Sequence, residues 1–172
     1  MSSTTLLSKE ITPKNFSTTH KILHWVVAAI IIEQLVLGEN MTSAWDAFEE
    51  GGSVIAFSSP VVLFHIWGGL SIIAFAIWRL WLRKANGVPA EPANEPAPLK
   101  LAAKGAHVLF YLLMFFVPLT GAATYFGGIG LAGDIHGWMK PVLIVLIAGH
   151  FGGALYQHFW LKSDVLKRMT HG

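Results

Sequence analysis

The chain has 172 residues, of which 53% are hydrophobic and 13% charged, with a mean hydropathy of +0.54 and a net charge of only +2. Soluble domains carry about 25% charged residues, and a chain this short cannot hide so much apolar surface in a core, so lipid must solvate part of it. The absence of cysteine excludes disulfides, zinc ribbons, iron–sulfur clusters and covalent c-type haem, and no nucleic-acid partner is expected.

Met1–Thr19 is polar and has no apolar core ahead of a small-residue cleavage site, so the first apolar segment is expected to stay in the mature protein. Four apolar runs follow, at about residues 20–37, 61–82, 105–126 and 135–161. A helix needs about 20 residues to cross ~30 Å of hydrocarbon. Lys9, Lys14 and Lys21 flank the start of the first run. Arg79, Arg83, Lys84, Lys100 and Lys104 lie from the end of the second run to the start of the third, and Lys162, Lys167 and Arg168 follow the fourth. These are eleven of the twelve Lys and Arg. The other two loops hold Glu39, Asp46, Glu49, Glu50 and Asp134 and no Lys or Arg; Lys140, just inside the fourth run, is the exception. The positive-inside rule then puts both termini in the cytoplasm. The expected fold is all-α: one integral membrane domain over residues 1–172, a four-helix bundle with both ends of the chain inside. Residues 86–99, with Pro89, Pro92, Pro96 and Pro98, read as an extended, semi-rigid cytoplasmic linker. The loop over residues 38–60, with Trp45 and Phe48 among its acids, is expected to lie on the membrane surface.

Histidine is rare in membrane spans, because the polar ring must find a partner there. His24, His65, His107, His136 and His150 all fall in the spans or at their edges. A single such histidine is adequately explained by a bond to a neighbouring helix; the joint pattern is not. His136 and His150 are 14 residues apart, which places them on one helix face within ~40° and ~21 Å apart along the axis. His65 lies near the outer end of the second span and His24 near the inner end of the first. Each therefore stands at the depth of one partner: His65 with His136, His24 with His150. Two opposed histidines at one depth are what a low-spin haem iron needs, and haem b is held by its axial ligands and pocket alone. Bundle cores build such sites from facing helices.

The porphyrin also needs room. Gly68 and Gly69 follow His65, Gly149, Gly152 and Gly153 surround His150, and Gly121 lies in the third span. Glycine is equally favoured by helix–helix packing, so alone it favours neither reading. Zinc is the competing metal, but it wants three or four ligands at one point, with carboxylate or thiolate among them. These histidines are spread over two layers with few acids nearby.

At this point the chain resembles the bacterial cytochrome b561 family, small di-haem membrane cytochromes related to the cytochrome b subunit of nickel–iron hydrogenases. The resemblance runs from about Phe16 to Met169. It is carried by Ile22-Leu23-His24-Trp25, by Phe64-His65-Ile66-Trp67-Gly68-Gly69, and by Trp78-Arg79-Leu80-Trp81-Leu82-Arg83. It continues through His107-Val108-Leu109-Phe110-Tyr111-Leu112-Leu113, Pro118-Leu119-Thr120-Gly121, His136, and His150 to His158-Phe159-Trp160. The order and spacing of these pieces are specific. The resemblance implies two haems b with His24, His150, His65 and His136 as iron ligands, in the pairing that depth gives. It places His107 near the inner haem as a non-axial residue, on a propionate, near quinone, or in a structural bond.

The resemblance further implies ubiquinone as an electron partner in the bacterial inner membrane, with a donor on the periplasmic side. Some members take electrons from superoxide. An anion is best collected by positive charge, whereas the outer loops here are acidic, which favours a neutral reductant or a basic cytochrome c. Near the inner haem, Arg79 is expected to meet a propionate, and Gly69 to give the outer macrocycle room. His20, Gln157 and His158 are the quinone candidates. Glu33, an acid within the first span, has three readings: a proton relay, a bond to Lys140, or a dimer interface; its expected closeness to the outer end favours simple snorkelling to water. Two functions remain in play, a quinone-linked oxidoreductase fed by a small periplasmic donor, with superoxide still among the candidates, and a cytochrome b anchor that relays electrons for a larger dehydrogenase or a cytochrome c. A transporter would show an inverted repeat or broken polar helices, and neither is present.

Overall fold

The computed structural model describes residues 12–49, 59–92 and 95–171. Helices α1 (Thr18–Glu49), α2 (Pro60–Asn86), α3 (Ala97–Gly127) and α4 (Gly130–Phe159) run up and down, and a short α5 (Val165–Thr170) follows. All four long helices are apolar enough to cross a membrane. The described residues contain no strand. The α1–α2 and α3–α4 connections define one end of the bundle, called here the loop end; the chain termini define the other.

Local chemistry sets the helix limits. Ser59 caps α2 by accepting the Val62 N–H at 3.3 Å, Pro60 fills its first turn, and Arg83 and Lys84 complement the dipole in its last. Gly128, at φ 64°, ends α3 in the left-handed conformation and returns its N–H to Thr124 O at 2.9 Å. Only Gly128 and Ile129 separate α3 from α4, so the two must be antiparallel neighbours.

α1 runs well past the expected span. Hydropathy falls at Gly38, but polarity alone does not stop a helix, and nothing from Gly38 to Glu49 breaks one. Packing then holds the extension: Met41 and Trp45 lie against buried Val62 of α2, with Ile66 and Tyr125. Trp45 is thus packed on α2 rather than spread on the membrane surface. Phe48's side chain and residues 50–58 lie outside the described residues. Glu33 lies in the membrane-capable stretch of α1, five residues before the fall in hydropathy at Gly38. Its Oε2 stands 3.6 Å from where a Gly68 Cβ would be, so the carboxylate faces α2. Lys140 bonds Glu39 at 2.8 Å and not Glu33.

The linker is shorter than expected, because Pro96 and Pro98 sit at the start of α3, where a missing N–H costs nothing. It is also pinned. Glu91 pairs with Lys104 at 2.7 Å, which holds its carboxyl below the usual range. Ala90 O accepts from Arg168 Nη1 at 2.6 Å, and Glu95 accepts from Gln157. Trp25 Nε1 donates to Met169 O at 3.0 Å, tying α1 to α5.

The protein core is one-sided. Val27, Ile72, Ala76 and Met114 are buried among Ile30, Ile31, Phe75, Phe110, Tyr111 and Phe115, all from α1, α2 and α3. The packed pairs are α1–α2, α2–α3 and α3–α4; α4 makes no comparable contact with α1 or α2. Of its 30 residues, only Gln157 is buried. A gap therefore runs along α4, and the histidines face one another across it.

Candidate haem sites

α4 carries His136 near its loop end and His150 fourteen residues on. Toward the loop end, His65 of α2 faces His136 with ring centres 6.0 Å apart and planes at 79°. Toward the terminal end, His24 of α1 faces His150 at 6.3 Å and 57°. Two imidazoles on one metal, at about 2 Å per bond, hold their ring centres about 6 Å apart. Both separations fit one iron between each pair. His107 of α3 lies 5.4 Å from His150, with the ring planes at 82°. No group of three or more His, Asp or Glu suited to a metal exists among the described residues, so the zinc arrangement is not found.

His136 offers a free ring nitrogen. Its Nδ1–H donates to Val117 O at 2.9 Å, with Thr120 Oγ1 at 3.4 Å, which leaves the Nε2 lone pair free. The ring fits because residue 121 is glycine: a Cβ there would meet His136 Cε1 at 2.9 Å. His65 Nδ1 is buried without a partner. His65, His136, Gly69 and Gly121 line a cavity of about 670 Å³ that opens toward the loop end, within the ~300–1,000 Å³ of sites for large organic ligands. Gly69 also makes room for Gln34, whose Oε1 stands 3.4 Å from its missing Cβ; Gly68 accommodates Gln34 and Glu33 rather than facing this cavity.

In the other layer, Arg79 Nη2 lies 3.2 Å from His24 Nδ1. Phe110 meets the His150 ring edge-on at 5.3 Å. Nothing stands within 4 Å of the missing Cβ atoms of Gly149, Gly152 and Gly153, so the flank of His150 is open. The His107 Nδ1–H donates to Ala103 O at 2.8 Å.

The three quinone candidates have different surroundings. His20 is buried against Phe16, with ring centres 4.8 Å apart. His158 packs on Phe159 and keeps a buried Nδ1 without a partner. Gln157 departs from expectation: its amide donates to Glu95 and accepts from Ser163 Oγ at 2.8 Å, so it is committed to holding the linker. Val117 O, Tyr111, Phe110 and the Glu39–Lys140 pair escaped the sequence reading. Tyr111 alone carried a signal, one turn after His107.

Antiparallel apolar helices whose histidines face one another in two layers have the arrangement of a membrane b-type cytochrome. The family model described as prokaryotic cytochrome b561 matches residues 15–172, and the chain belongs to that family. It is 30% identical to cytochrome b562 of Cereibacter sphaeroides, over 86% of this chain and 89% of that one. It is also 25% identical to cytochrome b561 homolog 2 of Escherichia coli (92% of each chain) and 24% identical to homolog 1 (90% and 96%). The protein is a multi-pass bacterial membrane protein that transfers electrons through haem b.

Gly121→Ala drives a methyl into His136 and is expected to lower the haem-to-protein ratio by up to half, with the remaining haem spectrally unchanged. His107→Ala is expected to leave the ratio unaltered; loss of half the haem would make His107 a ligand.

Proposed function

We propose that the chain holds two haems b, one between His24 and His150 and one between His65 and His136, and moves electrons across the inner membrane to ubiquinone. The observation that carries this is the gap along α4, spanned by two histidine pairs at one-iron spacing. Bound haem supplies a one-electron couple in each layer; the chain orients and insulates it. Val117 O fixes the His136 ring, Gly121 admits it, and Arg79 stands at His24 to meet a carboxylate.

The basic clusters at the terminal end and the acids at the loop end support a topology with both termini in the cytoplasm. The layer of His65 and His136 then faces the periplasmic donor, and the layer of His24 and His150 faces quinone. His158, with its unpartnered Nδ1, is the quinone contact of this scheme.

The donor is a neutral reductant or a cationic protein rather than superoxide. Lys140 is the cation available for steering an anion into the loop-end cavity, and Glu39 neutralises it at 2.8 Å. Glu39, Asp46 and Asp134 line the same cavity. Anion steering works through net positive potential and raises association ten- to a thousandfold.

The test uses purified protein in ubiquinone-containing liposomes. A small neutral reductant or a reduced basic cytochrome c should reduce the quinone without any further subunit. Superoxide should do so slowly, and Glu39→Gln should raise that rate severalfold at low salt. Fast superoxide-driven reduction by the unaltered chain would contradict the donor assignment. Failure with every small donor, relieved by a periplasmic dehydrogenase, would make the chain a relay subunit.

A further inference from the structure

Arg79 lies in the membrane-spanning part of α2, where a guanidinium must be compensated. No acid among the described residues does this: their ion pairs all lie elsewhere. Arg79 Nη2 reaches His24 Nδ1 at 3.2 Å. Its Nε is buried without a partner. So is the hydroxyl of Tyr111 on α3, over whose ring Arg79 Cζ stands at 6.0 Å. Buried donors left unpaired are costly, and a native structure supplies a reason for each.

The haem assignment proposed above, on which this inference rests, sharpens the point. An imidazole that gives Nε2 to iron carries its hydrogen on Nδ1. The His24–Arg79 contact then joins two donors, and neither can accept from the other. Three helices thus bring donors to one place: an imidazole N–H from α1, a guanidinium from α2 and a phenol from α3. What is missing is an acceptor, and its charge should be negative.

We propose that Arg79, Tyr111 and the Nδ1 of His24 form a carboxylate-binding site, filled by a ligand and not by the chain. A carboxylate offers two oxygens and about four acceptor positions, enough for all three groups, and its planar geometry matches the guanidinium fork. The carboxylate is either a propionate of the haem held by His24 and His150 or a small free carboxylate entering from the terminal end.

Redox-difference infrared spectra separate these sources. Protein is produced with haem carbon-13-labelled in its propionate carboxyls, as wild type, Tyr111→Phe and Arg79→Lys. Tyr111→Phe keeps the ring and its packing and should keep the full haem content. The expected result is a carboxylate band that shifts with the label in the wild type and is displaced in both variants, which identifies the propionate. A displaced band that ignores the label supports the same site holding a free carboxylate. If no carboxylate band responds to either variant, the site does not exist. The underlying assignment fails separately: His24→Ala retaining the full haem content would remove His24 from the iron, whatever the infrared bands show.

Discussion

Four helices in lipid gain little from the hydrophobic effect where they meet, since acyl chains are as apolar as leucine. They associate where shape and polar partners require it. In this chain three helices meet those terms and the fourth does not. α1, α2 and α3 share the buried cluster around Ala76 and Met114, while α4 packs closely on α3 along its length and on α5 at its end. α4 nevertheless carries two histidines that face rings on α1 and α2. A polar ring in hydrocarbon must be satisfied; His136 Nδ1 finds Val117 O, which leaves its Nε2 for another partner. In the proposed arrangement an iron between each pair would give the imidazoles partners, and a macrocycle would occupy the space that side chains leave.

The neighbourhood of each pair follows from that constraint. A metal-bound imidazole keeps one hydrogen, whose acceptor sets the ring's orientation. For His136 the acceptor is a main-chain carbonyl, Val117 O, one residue before Pro118 in α3. For His24 the group at Nδ1 is the Arg79 guanidinium, a cation. The two layers are therefore chemically unlike. One is oriented by backbone and opens through a cavity edged with acids. The other is surrounded by Arg79, Tyr111 and His107, at the end where the basic residues cluster. Such differences tune haem potentials, and a difference in potential gives electron flow its direction.

The histidine layers were legible in the sequence because two simple regularities coincide: histidine is scarce in apolar runs, and helical rise converts residue number into depth. The spans and the antiparallel order were legible for the same reason. The length of α1 was not, because the packing of Met41 and Trp45 on Val62 joins residues some twenty apart and hydropathy sees only neighbours. Gln157 read as an open amide because its partner, Glu95, lies in a linker 62 residues away. Val117 contributes through its carbonyl, and a backbone group has no letter. Gly68 read as room for a macrocycle, and in the fold it makes room for Gln34.

The central claim is that each histidine pair holds one haem. The haem-to-protein ratio of the purified chain, measured with its dithionite-reduced visible spectrum, tests it most directly. Two haems b per chain with a sharp low-spin band is the predicted result. A single haem would leave one histidine layer structural and break the path across the membrane, and a chain without haem would contradict both sites.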